Sequence, residues 1–330
     1  MSIRPFEIEN GLSLVPRIKL NLTIYPSSLT VTKPIDEWKI KRALIDFLET
    51  SLSIRITVPE EDIDIRRLKE LKKRKREDPV ANGALFIRDL GFLINKLEKG
   101  VEEDDLKSLE GKLLELRKYL VEKMDGLELN LEGVKFKLTV ALPASDDFEG
   151  MKKAWEEFYA FGNRGYSRGG RQEPDTIILR GVPSRWFAEP RVSSKPSMLV
   201  THTIFSTFGN IRNLNVAEDN DLGKDANEES GDLVSGLYCK IVVQFEKYRD
   251  FYDALKVLCG RSLQKQGSKM KADYDVTWDK DVFFRNSRNQ THENRVPAVA
   301  SENDRSEAPK RQPYNSRYTS DNVRPRRFKE

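Results

Sequence analysis

Apolar and polar residues alternate along PRIKLNLTIYP, with Ile18, Leu20, Leu22 and Ile24 on one side, which predicts a half-buried strand. The period then changes. Trp38, Leu44, Ile45 and Leu48 recur at helical spacing and predict a helix from about Pro34, a residue suited to the first helical position, to Ser51. SIRITVP and ALFIRDL predict two further strands, and VKFKLTVALP predicts a closing one. Between them Leu106, Leu109, Leu113, Leu116 and Leu120 predict a helix over 106–124. The order is β-α-β-β-α-β with the helical arm RRLKELKKRKRED inserted, and it marks residues 1–150 as a divergent ferredoxin-like domain.

A helix and a glycine- and arginine-rich linker fill 151–173, where NRGYSRGGR sets Arg164, Arg168 and Arg171 among glycines. The same element order returns over 174–280. TIILRGVP predicts a strand entering a loop at Gly181 and Pro183. IFSTFGNI puts Ile204, Phe205 and Phe208 on a helix face, with Gly209 placed to stop it in a left-handed conformation and Ile211 opening a strand. In YCKIVVQF, Cys239, Ile241, Val243 and Phe245 alternate with Tyr238, Lys240, Val242 and Gln244, so one face is core and the other open. FYDALKVLCGRSL carries a second helical stripe, Phe251, Ala254, Leu255 and Leu258, ended by Gly260. Alternation at Met270, Ala272, Tyr274, Val276 and Trp278 predicts the last strand.

With 38% apolar and 33% charged residues, the chain falls below the roughly 45–50% apolar content of globular proteins, so part of it lies outside any packed core. That part is 281–330, rich in Asn, Ser, Pro and Arg and read as disordered. From Arg285 onward it holds eleven Lys/Arg and six Asp/Glu, so the tail is basic while the net charge of the whole chain is only +4. Two cysteines, Cys239 and Cys259, and two histidines, His202 and His292, give neither a metal-ligand spacing nor a disulfide framework, which points to a reducing compartment. MSIRPFEIENG carries charges where a signal peptide is apolar, and no run of about 18 apolar residues exists, so no membrane association is expected. Lys72, Lys73, Arg74, Lys75 and Arg76 predict a nuclear localisation signal or a solvated helix face. No GxxxxGK[ST] loop, dinucleotide fingerprint, HExxH or nucleophile motif occurs, so neither enzymatic activity, a metal nor a cofactor is expected.

The order of 174–280, with IFSTFGNI in its first helix and ALKVLCGRSL in its second, resembles an RNA-recognition motif. Such domains place stacking aromatics at the third-strand positions held here by Lys240 and Val242, and at the first-strand position held by Ile178. All three rings are missing, and the motif is degenerate. What remains on the face is Thr176, Ile178, Arg180, Tyr238, Lys240, Val242 and Gln244, a mixed surface able to meet phosphate and one base, or a partner protein. PSRWFAEPRVSSKPS adds Trp186 and Phe187, placed to stack on a base, anchor a partner or fold back over the rim. AEDNDLGKDANEESGD, with seven acids and one lysine, reads as a solvated loop that repels RNA.

Through Pro174, Asp175, Thr176, Gly181, Pro183, Trp186, Phe187 and Ala188, the stretch PDTIILRGVPSRWFA is similar to the RNA-recognition domain of the A-kinase anchor protein 17A family, also described as splicing-factor-like. The resemblance implies a nuclear, speckle-associated regulator of alternative pre-mRNA splicing whose partners are single-stranded pre-mRNA and splicing-associated proteins. In animal members it also implies anchoring of protein kinase A through long extensions. This chain stops after a short tail, so anchoring is not expected, although the Leu106–Leu120 seam fits a coiled coil or an anchoring helix as well as packing on its own sheet. The rival expectation is a scaffold whose degenerate domains grip proteins without binding RNA directly.

Overall fold

The computed structural model describes residues 4–27, 36–52, 56–68, 78–94, 103–162, 173–219, 236–281 and 283–284. The chain divides into a body, Met1–Phe284, and a second unit, Arg285–Glu330. The second unit, and with it the expectation of a disordered tail from Arg285 on, lies outside the described residues. The body is α+β, and its sheets pair antiparallel throughout.

A hairpin of β1 (Phe6–Ile8) and β2 (Leu12–Pro16) opens the chain, turned by Asn10 and Gly11, both at φ +64°. Asn-Gly reaches that conformation at little steric cost. In β3 (Ile18–Pro26) the predicted alternation is realised, with Ile18, Leu20, Leu22 and Ile24 all buried. Asp36 caps α1 (Glu37–Thr50) by accepting from the Trp38 backbone N–H at 3.1 Å. This helix buries Ile40, Leu44 and Leu48, whereas Trp38, two residues from Ile40 and therefore on the opposite side, is 59% exposed.

Of SIRITVP, read as a strand from sequence, residues 53–55 lie outside the described residues and Ile56–Pro59 form no strand, the next strand being β4 (Ile63–Arg67). Pro59 has no N–H for a ladder and leads into a 3-10 turn over Glu60–Asp62, while Ile56 and Val58 bury their side chains outside any strand. Arg66 and Arg67, expected to begin the helical arm, are therefore strand, and the rest of the arm from residue 69 to 77 lies outside the described residues. Then come β5 (Ala81–Ile87), α2 (Gly91–Ile94), α3 (Glu103–Met124), β6 (Glu128–Leu131) and β7 (Val134–Ala141). The strands form one sheet in the order β4-β5-β3-β7-β6. Leu109, Leu113, Leu116, Leu120 and Met124 of α3 are buried in its core, so the leucine seam packs on its own sheet.

Helix α4 (Phe148–Gly162) serves a different core. Its Phe148, Met151 and Trp155 pack with the second half of the chain, Trp155 edge-on to Phe251 at 5.6 Å. There follow β8 (Thr176–Pro183), α5 (Met198–Ser206), β9 (Ile211–Glu218), β10 (Tyr238–Phe245), α6 (Tyr248–Leu258), β11 (Arg261–Lys265), β12 (Lys271–Ala272) and β13 (Asp275–Trp278). Four of these strands form the sheet β13-β8-β10-β9, whose Ile177, Leu179, Ile241, Val243 and Phe245 meet α5 and α6 in one core. Gly209 follows α5 at φ +154°, not at the left-handed helical value expected. Glycine is required there because a Cβ would lie 2.5 Å from the Cβ of Asp250.

RSLQK, directly after the glycine predicted to end the helix, is β11, a strand that the sequence reading lacked, and it pairs with β2 to build a third sheet, β1-β2-β11-β12. The amino-terminal hairpin thus enters the second half, and Ile8, Leu12 and Leu14 share a core with Trp155 and Phe251. Ion pairs, one buried and the others partly buried, reinforce this junction. Arg17, 1% exposed, holds Asp146 at 2.5 Å, and its Nε lies 2.8 Å from Asp273 without the alignment of a hydrogen bond. Arg88 reaches Asp62 and Asp273, each at 2.6 Å, and stands 4.8 Å from the centre of the Phe86 ring. Burial alone would raise the pKa of Asp273, but Arg88 and Arg17 reverse this and hold the carboxyl below its usual range.

Candidate nucleic-acid interface

The sheet β13-β8-β10-β9 turns its other face away from α5 and α6, and on it lie Ile178 and Arg180 of β8 with Tyr238, Lys240, Val242 and Gln244 of β10. Val242 pairs with Ile178 and Gln244 with Thr176, and on the other side Lys240, Val242 and Gln244 face Ala217, Asn215 and Asn213 of β9. β8 does not stop at Gly181 as its sequence predicts. Arg180 and Gly181 together stand against Lys240 in a bulge, with Gly181 at φ +77° donating its N–H to Asp219 Oδ2 at 3.1 Å. One extra residue returns Val182 to the core while leaving Arg180 on the outer face, which a regular strand ending in GVP could not do.

Much of this face is satisfied from within. Gln244 donates through Nε2 to Asp175 at 2.8 Å and accepts through Oε1 from Asn213 at 2.5 Å. Arg180 stands opposite Asp275, whose carboxylate accepts from Lys19 and from Ser145. Val242 was expected on the open side but is 1% exposed, so no base can lie on it in this conformation. Lys240 directs its ammonium to the ring of Phe283, 5.8 Å from the centroid. Phe283 is held there by Asp279, which donates its N–H to the Thr176 carbonyl at 3.0 Å and accepts from the Phe283 N–H at 2.7 Å. Residues 281–284, expected to begin the tail, include a segment that returns to the sheet. The adjacent rings of Phe283 and Phe284, shortly beyond the end of the last strand at Trp278, are the local signal in the sequence for this return.

Both loop aromatics pack on the core of the second half, but to different depths. Phe187 is 1% exposed and stacks on Phe205 with ring centres 6.3 Å apart, so it fills the core and presents no ring to a partner. Trp186 is half-buried at the end of a 3-10 turn, Ser184–Trp186, and lines an open cleft together with Tyr238. Arg164, Arg168 and Arg171, like Lys72, Lys73, Arg74, Lys75 and Arg76, lie outside the described residues. Burial raises the Cys239 thiol to about 12 and pushes Cys259 up as well, which keeps both protonated and unreactive. Among the described residues no group of three His, Cys, Asp or Glu is placed to hold a metal ion, and no helix is long and apolar enough to cross a membrane.

Residues 110–316, from within α3 to beyond the body, match the family described as AKAP-17A-like, RNA-binding domain. Over 269 residues the sequence is 24% identical to the A-kinase anchor protein 17A of Homo sapiens, an alignment covering 79% of this chain and 33% of that protein. The chain therefore spans about a third of the length of that relative. With more than half of its residues matched, the chain belongs to the AKAP-17A-like RNA-binding domain family.

Proposed function

We propose that this protein binds single-stranded RNA in the nucleus and regulates the alternative splicing of pre-mRNA together with splicing-associated proteins, without enzymatic activity of its own. The family match carries the reading, because it lies across the whole of the sheet β13-β8-β10-β9. Counted among themselves in chain order, the four strands of this sheet run fourth, first, third, second, the order of the ferredoxin-like plan on which RNA-recognition motifs are built. The sheet of the first half gives second, third, first, fourth along β4-β5-β3-β7, with β6 added at the edge, which supports a second domain of that plan within 1–150. Arg180 and Lys240 supply cations for phosphate. The linker and tail, basic by sequence, supply more.

Kinase anchoring stays outside this proposal, since Leu109, Leu113, Leu116 and Leu120 are committed to their own core. A scaffold function is favoured by one observation, the exposure of Val192, Met198 and Leu199 around α5 at 75%, 49% and 70%. Titration of the purified full-length chain with single-stranded RNA at low salt separates the two readings. Saturable binding supports the first, and its absence leaves the scaffold. Depletion followed by transcript-isoform sequencing then tests splicing, with altered exon inclusion expected.

A further inference from the structure

The cleft that Trp186 shares with Tyr238 has a volume of about 870 Å³ and lies at the end of β10 where the hairpin β11–β12 approaches it. That size falls within the range of ligand clefts. Neither ring stacks on another aromatic ring among the described residues, and Tyr238 is 38% exposed beside Leu237 and Met270, exposed at 53% and 62%. Three cations line the same cleft. Arg185 and Lys271 have no acidic partner among the described residues, and Lys195, 81% exposed, stands 3.8 Å from Glu218. The other acid of the lining, Asp273, is neutralised by Arg17 and Arg88. Two unstacked rings among described lining residues of net positive charge match a base and its flanking phosphates, and that charge disfavours a purely apolar or basic protein segment.

Resting on the RNA-binding reading, we infer that this cleft is a nucleotide-binding site for single-stranded RNA, in which a base stacks on Tyr238 and Trp186 while Arg185, Lys195 and Lys271 hold the backbone. The site lies beyond the strand positions where the motif ordinarily stacks bases. It compensates for a sheet face whose Val242 is covered and whose Gln244 is tied to Asp175 and Asn213. A base that loses its stacking partner loses roughly 5- to 150-fold in affinity, and each phosphate contact on a single strand contributes about −0.7 to the slope of log K against log salt.

Fluorescence anisotropy with a labelled twelve-nucleotide single-stranded RNA of randomised sequence tests this on the full-length chain. Tyr238→Ala should weaken binding by at least fivefold, and Lys271→Ala should flatten the salt slope by about 0.7. Lys240→Ala, on the sheet face, should weaken it less than Tyr238→Ala. Unchanged thermal unfolding of Tyr238→Ala and Lys271→Ala shows that the effect is local. If the wild type binds and both cleft variants bind within twofold of it with the same slope, the cleft is not the RNA site. If the wild type binds no RNA, the functional reading itself fails, a result distinct from the first.

Discussion

Replacing Asp273 by Asn removes one carboxylate from between two arginines without changing its size, and it tests whether the ion network welds the two halves of the body. Breaking a buried pair costs about 3–5 kcal/mol when a charge is left uncompensated. Here Arg17 keeps Asp146 and Arg88 keeps Asp62, and Asp273 is 24% exposed, so the expected cost lies near the lower end, about 3 kcal/mol. For a body of this size that is a fall in Tm of about 6 °C. The comparison is Asp253→Asn, which removes an exposed pair with Arg249 (89% and 60% exposed) and should cost less than about 1 kcal/mol. Urea unfolding at pH 7, followed by tryptophan fluorescence, to which the buried Trp155 and Trp278 contribute, and by circular dichroism, gives both values if the two transitions coincide. The sign with pH follows from the depressed carboxyl. Its contribution is complete above the unfolded value of about 3.9 and is lost as pH falls through the lower folded value, so wild type and Asp273→Asn should converge only in strong acid. An Asp273→Asn loss no larger than that of Asp253→Asn would refute the weld.

Iodoacetamide at pH 8 should leave Cys239 and Cys259 unmodified in the folded protein and label both in denaturant, because burial raises both thiols; mass spectrometry reads the outcome. The acidic segment between Asp219 and Gly236 joins the chain at the proposed cleft, so changing Asp225, Glu228, Glu229 and Asp232 to their amides should tighten RNA binding at low salt and leave it unchanged at high salt. Alanine at Lys72, Lys73, Arg74, Lys75 and Arg76 should move a tagged protein from nucleus to cytoplasm; retention in the nucleus would assign import to the tail or to a partner.

Legibility in the sequence followed the range of the interactions. β3, β7 and β10 were readable because alternation every second residue is a local property, and α3 because its leucines repeat every turn. The Asn10-Gly11 turn also carries a local signal, in IENGL, but nothing near it names β11, about 250 residues away, as the partner of β2. In SIRITVP and IDIRR the alternation is equally good, and only the ladder with β5 selects the second. Site residues divided in the same way. Tyr238 and Lys240 sit on the outer face that alternation assigns them, whereas the covering of Val242 depends on tertiary packing and the cleft partners Arg185 and Lys271 come from separate segments. Arg17, Arg88, Asp62, Asp146 and Asp273 are unremarkable one by one, and no spacing rule unites residues drawn from five places in the chain.

Direct RNA contact in living cells is the central claim, and ultraviolet crosslinking measures it. A tagged full-length chain, irradiated in cells and purified under denaturing conditions, should carry covalently attached RNA, with the crosslinked nucleotide mapped by mass spectrometry to peptides containing Tyr238 or Trp186. Recovery of no more RNA than from a tagged protein of equal charge that does not bind nucleic acid would contradict the account.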